Sequence, residues 1–459
     1  MRRFAGVAGW VLLAAVSLAA LEKEPVESYR ARRAALAAKL NDGITVVFAY
    51  REPDTADALT GFRQNDDFYY LSGVNEPGAI LLLAPPGDGQ AGNLSPLEIL
   101  FLPPRSPLQE RWTGPKLGPQ DADAVRSTGF NTVASAADFD KQLQRILPAN
   151  GKLYTILPSG KQRCGPESEA VERLRKLAGA GQGNGPAAAP EIQDAAAAIA
   201  ALRQVKSPTE LALIQKALRA TMDAHREAMK AVRPGLFEYQ VAALMKYVFE
   251  RVGCERPAYA PIAGSGFNST VLHYSANTRQ MRVGDVLVLD VGGEYGGYAA
   301  DITRTLPVSG KFTARQREIH DIVLGAQKAV IAAIKPGAII SRTAPENLNK
   351  VAIDYFNAHG KDRQGQPLGK YFIHGISHHL GLNVHDAGSG SRPLEPGMVI
   401  TVEPGLYIPE ENLGIRIEDV VLVTETGARV LTDGLPREAR DVEKAMRGRK
   451  RLLAVGRGL

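Results

Sequence analysis

Short apolar runs alternate with turn residues in the first third of the chain. Ile44–Tyr50, Ala79–Ala84 and Glu98–Leu102 are bounded by Gly, Pro, Asn and Asp, and each predicts a strand, with helical stretches between them. The pattern disappears at Ala178–Pro190, where AGAGQGNGPAAAP offers no periodic face and is punctuated by Gly and Pro. This break divides the chain into a first domain at 22–177, a linker at 178–195 and a second domain at 196–440. After the linker, Ser207, Pro208 and Glu210 have the spacing of a capping box with Pro at the first helical position. Apolar residues then recur at helical spacing from Leu211 to Val232, and a second helix is predicted from Glu238 to Val252. From Val283 onward, β-branched runs and glycines predict strands. No short-period internal repeat is present.

The N-terminus has a different character. Arg2 and Arg3 precede 18 uncharged residues, Phe4 to Leu21, closed by small residues with Ser17 and Ala19 placed as a cleavage pair. This is the layout of a secretory signal peptide at 1–21, so a secreted or periplasmic protein is expected. The run is near the lower length limit for a transmembrane helix and would anchor the chain if uncleaved. No other apolar run is long enough to span a bilayer.

At 459 residues, 44% hydrophobic and 23% charged, the chain is ordinary globular protein rather than disordered or fibrous. Two cysteines, Cys164 and Cys254, exclude a disulfide scaffold and a cysteine-rich zinc module, and are read as unpaired thiols. The net charge of +6 is concentrated at the ends: Arg437–Leu459 alone carries eight Lys/Arg against three Asp/Glu. A nucleic-acid binder needs a basic face on its folded body, so no nucleic-acid partner is expected. Residues 441–459 are read as a solvated basic tail.

The candidate chemistry lies in two hairpins. Val286–Leu306 reads VLVLDVGGEYGGYAADITRTL, two β-rich arms around a glycine-rich turn. A loop at Glu294–Gly297 would set 293 opposite 298 and Asp290 opposite Asp301 on one face. Ile400–Val423 repeats the arrangement: a loop near Pro409–Leu413 would set 407 opposite 414, 405 opposite 416, and Glu403 opposite Glu418. Like charges facing each other on an apolar arm destabilise a hairpin unless a cation offsets them.

Histidine usage points the same way. Four of the eight histidines (His374, His378, His379 and His385) fall in HGISHHLGLNVHD. His374 and His378 would share a face of an extended strand. Four carboxylates with an imidazole are mainly hard oxygen donors, which suit Mn, Co, Fe or Zn in a two-metal site. Such a pair of ions makes a bridging water into a hydroxide nucleophile, and amide hydrolysis is the natural chemistry.

The motifs LHYSAN (272–277), LDVGGEYGGYAADITRT, HGISHHLGLNVHD, TVEPGLYI and GIRIEDV occur in the order found in the pita-bread metallopeptidases. The chain most resembles the Xaa-Pro aminopeptidase (aminopeptidase P) group of that family. The resemblance covers essentially everything after the linker and, more weakly, DFYYLSGV at 67–74 before it. It implies an α/β (α+β) fold: an N-terminal mixed-sheet α/β domain followed by a pita-bread domain with a curved antiparallel sheet. Carried over position by position, it implies that Asp290 chelates one metal, Asp301 and Glu418 bridge both, and His378 and Glu403 complete the other. Glu403 would also take the proton from the bridging water. His273, His374 and His385 match substrate-binding and proton-relay histidines, and Arg416 matches an arginine that orients a carboxylate. Tyr407 matches a tyrosine near the site, and His379 is assigned no chemistry. His225, His320 and His359 are read as structural or surface residues.

The resemblance implies an aminopeptidase that releases the residue before a proline in the second position. Its cofactor would be two divalent ions, manganese first with cobalt or zinc as alternatives. A homo-oligomer, dimer or tetramer, is expected. The nearest alternative is a prolidase restricted to Xaa-Pro dipeptides, against which Ser377 in HGISHHLG argues. Methionine aminopeptidase would need neither the first domain nor an export signal. A metal-free creatine-hydrolysing relative, or a non-catalytic peptide-binding protein on this fold, should lack ligands that are all present here.

Overall fold

The computed structural model of the protein describes residues 22–51, 61–85, 97–147, 151–158, 166–180 and 190–448. The expected signal segment, residues 181–189 of the glycine-rich linker, Cys164 and the last part of the basic tail lie outside the described residues. The first domain is built on a six-stranded mixed sheet in the order β4-β3-β2-β1-β5-β6. Its strands are β1 (Gly43–Phe48), β2 (Ile80–Ala84), β3 (Leu97–Leu102), β4 (Thr132–Ser135), β5 (Lys152–Thr155) and β6 (Glu191–Asp194). The central strands read as continuous apolar runs because both faces are covered. Ile44, Val46, Leu82, Ile99 and Phe101 face a core with Phe139 and Leu143. Val47, Leu81, Leu83, Leu100 and Leu102 point the other way, into a second core that continues through the rest of the molecule to Met446.

The linker expectation needs correction at both ends: residues 178–180 complete the helix Pro166–Ala180. Residues 191–194, expected in the linker, form β6, which pairs in parallel with β5. EIQD carries no apolar run, and only the edge of an existing sheet selects it as a strand.

The second domain places helices around small antiparallel sheets. The helix Pro208–Ala231 begins with the expected capping box: Ser207 Oγ accepts from Glu210 N–H and Glu210 accepts from Ser207 N–H at 2.9 Å. The next helix, Glu238–Arg251, ends one residue before the expected boundary. The strands are β7 (Arg256–Pro257), β8 (Ile262–Ser265), β9 (Val286–Val291), β10 (Gly293–Tyr295), β11 (Tyr298–Ala299) and β12 (Ile302–Pro307). They are followed by β13 (Val399–Val402), β14 (Gly405–Ile408), β15 (Leu413–Arg416), β16 (Asp419–Val423) and β17 (Ala428–Val430). Every pairing among β7–β17 is antiparallel. Helices Ala314–Ala333 and Leu348–His359 pack against each other on the outside.

The basic tail does not begin at 441. Ala439–Met446 is a helix with Val442 and Met446 buried in the main core. Glu443 accepts from Phe312 N–H at 3.0 Å and pairs with Arg317. Two apolar residues four apart bury one face of a short helix, which the charge count concealed. No helix among the described residues is long and apolar enough to cross a membrane.

Candidate functional site

The first hairpin turns on two residues rather than four. Gly296 and Gly297 both have positive φ (59° and 80°), as a two-residue turn matching strand twist requires. Tyr295 pairs with Tyr298, and Asp290 therefore stands opposite Thr303, not Asp301. The register is shifted by two from the expectation. Because side chains alternate with period two, such a shift keeps both aspartates on one face. The Tyr259 hydroxyl lies 2.5 Å from Asp290 Oδ1 and also contacts Asp301 Oδ1. Close to the turn Gly292 admits no side chain, since a Cβ there would lie 1.7 Å from Ala300 O.

The second hairpin has the expected register. Gly405 pairs with Arg416 and Tyr407 with Gly414, and the same register resumes at Val402 and Asp419. Glu403 and Glu418 sit in the break between these paired segments. There Glu403 N–H donates to Ile376 O at 3.0 Å and Glu418 N–H to Thr303 O at 3.1 Å. The backbone bonds at the break thus tie the second hairpin to the histidine segment and to the first hairpin.

The histidine segment is extended but irregular, and runs beside β13. Thr401 N–H donates to His378 O at 3.0 Å, and His379 bridges Ile400. His378 Nδ1 donates to its neighbour's carbonyl, His379 O, at 3.0 Å, which leaves Nε2 facing Asp301 Oδ2 and Glu403 Oε1, each at 3.4 Å. Ligand atoms of Asp301, His378 and Glu418 all lie within 4.8 Å of one another. A carbonyl on one ring nitrogen, with the other aimed at carboxylates, is the arrangement of a histidine that can ligate a metal once Nε2 loses its proton.

The electrostatics demand a cation. Burial, reinforced by the neighbouring carboxylates, pushes Asp301 and Glu418 upward, Glu418 well above its ordinary range. Burial also raises Glu403, to about 7, although His378 opposes the shift. Burial disfavours the charged His378 imidazole, yet Asp301 and Glu403 hold it at about 9. The Tyr259 hydroxyl has one proton for two carboxylates. Divalent ions would replace these shared protons, so the donor set fits them.

The remaining sequence-predicted residues surround this cluster. Arg416 Nη2 donates to Asp290 Oδ2 at 2.6 Å and Nη1 to Tyr407 Oη at 2.8 Å. Tyr407 in turn lies 2.8 Å from His374 Nε2, and His374 Nδ1 lies 2.9 Å from Gly375 O. The chain therefore runs Arg416 to Tyr407 to His374 to Gly375, with His374 neutral. Burial and the Arg416 charge hold His374 down at about 3. His374 Nδ1 is also 3.7 Å from Glu403 Oε2. His385 is exposed, its ring centroid 4.3 Å from that of His378. His273 is exposed as well, on the irregular stretch after Thr270.

Sequence reasoning missed Tyr259, Thr303, Thr401 and Gln327. Thr303 Oγ1 donates to Glu418 Oε2 at 2.7 Å, and Thr401 Oγ1 to Glu403 Oε1 at 3.1 Å. Gln327 Nε2 reaches both Val402 O and Ile417 O at 3.1 Å, the carbonyls preceding Glu403 and Glu418. Thr401 could have been found as a polar residue two positions before Glu403, on its face. Tyr259 lies 31 and 42 residues from its two aspartates and carries no local signal. His225 is buried with Nε2 3.1 Å from Ile302 O, and His320 packs on Phe312, as structural residues do.

Residues 212–425 match metallopeptidase family M24, and residues 29–154 match the aminopeptidase P N-terminal domain. The chain is 36% identical over 446 residues to the Xaa-Pro aminopeptidase of Escherichia coli (strain K12), covering 92% of this chain and 97% of that protein. The structure of a putative aminopeptidase P from Bacillus anthracis superposes with a TM-score of 0.82 at 34% identity, covering 92% of this chain and 99% of that one. The zinc-substituted E. coli aminopeptidase P in complex with product gives a TM-score of 0.79 at 34% identity, covering 94% and 100%. The carboxylate and imidazole cluster lies inside the M24 match. The chain therefore belongs to the Xaa-Pro aminopeptidase (aminopeptidase P) family, metal-dependent peptidases of family M24.

Proposed function

We propose that this enzyme releases the N-terminal residue from peptides with proline in the second position, using two divalent ions, manganese by preference. The observation that carries this reading is the convergence of Asp290, Asp301, His378, Glu403 and Glu418 on one spot, with His374 and His385 beside it. Asp290 would hold one ion, His378 and Glu403 the other, and Asp301 and Glu418 would be shared. Four carboxylates balance two divalent charges, and oxygen-rich donors favour manganese over thiolate-seeking ions. When bound, the ions supply Lewis-acid activation of water and of the scissile carbonyl.

The protein's own residues supply orientation and proton handling. Glu403, whose Oε1 accepts from Thr401 Oγ1 at 3.1 Å and faces His378, would accept a proton and return it to the departing amine. Arg416 fixes Asp290 and remains charged throughout. His385, exposed beside the His378 ring, and His273, also exposed, would meet the peptide. An exposed helix with Leu108 and Trp112 four apart supports self-association into a dimer or tetramer. The Arg2-Arg3 start and the uncharged run after it support export.

The test is a side-by-side incubation of the purified chain, loaded with Mn²⁺, with an Xaa-Pro-Xaa tripeptide and an Xaa-Pro dipeptide. Metal-dependent release of the first residue from the tripeptide is expected. Cleavage of the dipeptide alone would identify a prolidase instead.

A further inference from the structure

The loop from Leu380 to Asp386 joins the candidate metal ligand His378 to His385. Leu380 and Leu382 are buried, but Asn383 and His385 are exposed, and no hydrogen bond among the described residues fixes the His385 ring. The backbone around it is held from the first domain. Arg63 donates from Nη2 to Leu382 O at 2.6 Å, from Nη1 to Asp66 Oδ1 at 2.7 Å, and from Nε to Glu294 Oε2 at 2.9 Å. Asp66 then accepts from Asn383 Nδ2 through its other oxygen, at 3.1 Å. On the far side of the loop, Asp386 is held by Lys206 at 2.9 Å and by Arg203. Arg203 also reaches back to Asp67 at 2.6 Å. One guanidinium thus ties three separate pieces together: a helix start in the first domain, the β10 hairpin arm and the histidine loop. A planar fork with five fixed donors can do this, and a lysine cannot.

We propose that Arg63 is a positioning residue for the peptidase reaction, setting the place of His385 through Leu382 and the Asp66–Asn383 contact. This rests on the reading of His385 as a substrate-side histidine. It gives the first domain a part in building the site: the RQNDDF segment at its edge supplies the clamp for a loop of the catalytic half.

The test is a double-mutant cycle on the full chain. Arg63→Ala should lower kcat/KM about tenfold or more, the scale of a loop misplaced by a fraction of its width. Metal content per chain should stay at the wild-type value. In a His385→Ala background, Arg63→Ala should change kcat/KM by less than about twofold, since coupled residues fail to add. Asn383→Ala, at an exposed position, provides the same cycle if Arg63→Ala does not fold. Full additivity of either variant with His385→Ala would overturn the proposal. So would loss of metal in Arg63→Ala, which would place its effect at the Glu294 arm. A fully active His385→Ala would overturn the role of His385 itself, and with it the positioning role.

Discussion

Arg416, on β15, holds Asp290 of β9 by a 2.6 Å bond from Nη2 while its other terminal nitrogen holds Tyr407 of β14. A buried cation is here spent on orientation. It fixes one candidate metal-binding oxygen and, through Tyr407, the His374 ring.

Replacing Arg416 by Lys keeps the charge and loses the fork. One ammonium cannot face Asp290 and Tyr407 at once in this geometry. We expect kcat/KM to fall about 10- to 100-fold, as for other residues that orient metal ligands. Steady-state kinetics on a tripeptide substrate, with metal content measured in parallel, checks this. An unchanged rate would show that the fork is dispensable.

Asp301→Ala removes the carboxylate that faces both His378 and Tyr259. Hydrolysis should be abolished while the chain still folds, because the deletion also relieves like-charge crowding with Glu418 and Asp290. Circular dichroism and a metal titration separate the two effects. An active variant would sink the two-metal assignment.

Metal affinity should rise with pH. His378 sits at about 9 and Glu403 at about 7 in the metal-free protein, and both must shed protons before donating lone pairs. Calorimetric titration with Mn²⁺ at pH 7 should therefore release protons to the buffer, and binding should be weaker at pH 6 than at pH 8. Stability of the metal-free fold runs the opposite way. Both folded values lie above the ordinary ones, 6.5 for His and 4.5 for Glu, so the fold favours the protonated forms. The Glu403 contribution is lost between 4.5 and 7, and that of His378 as pH rises through 9. The Tm of chelated protein should fall between pH 6 and pH 9, and Mn²⁺ should reverse the trend.

Gln327→Leu should destabilise the metal-free protein by about 2 kcal/mol, since two buried carbonyls lose their shared donor. Those carbonyls, of Val402 and Ile417, directly precede Glu403 and Glu418. The variant should therefore also bind metal more weakly. Urea denaturation and metal titration read the two consequences separately, and wild-type metal affinity would confine Gln327 to a purely structural part.

Much of this protein is decided locally and is legible in the chain. The capping box at Ser207 and Glu210, the apolar strands β1–β3 and the register of the Glu403–Glu418 hairpin follow from short-range patterns. The carboxylate-bearing hairpins and the clustered histidines are visible as local motifs, and the ligand roles are what the resemblance carried by those motifs implies. What tertiary structure alone decided is where distant pieces meet. The two-residue glycine turn of the first hairpin is by contrast a local choice, made because strand twist selects the tighter turn, and it moves the register by two. EIQD became a strand only because a sheet edge was there to receive it, and Val442 and Met446 made a helix only because a core lay beneath them. Tyr259, Gln327 and Arg63 act on groups tens to hundreds of residues away. Period and propensity carry no information about such contacts, because they arise from packing separate elements against one another rather than from the conformation of any one of them.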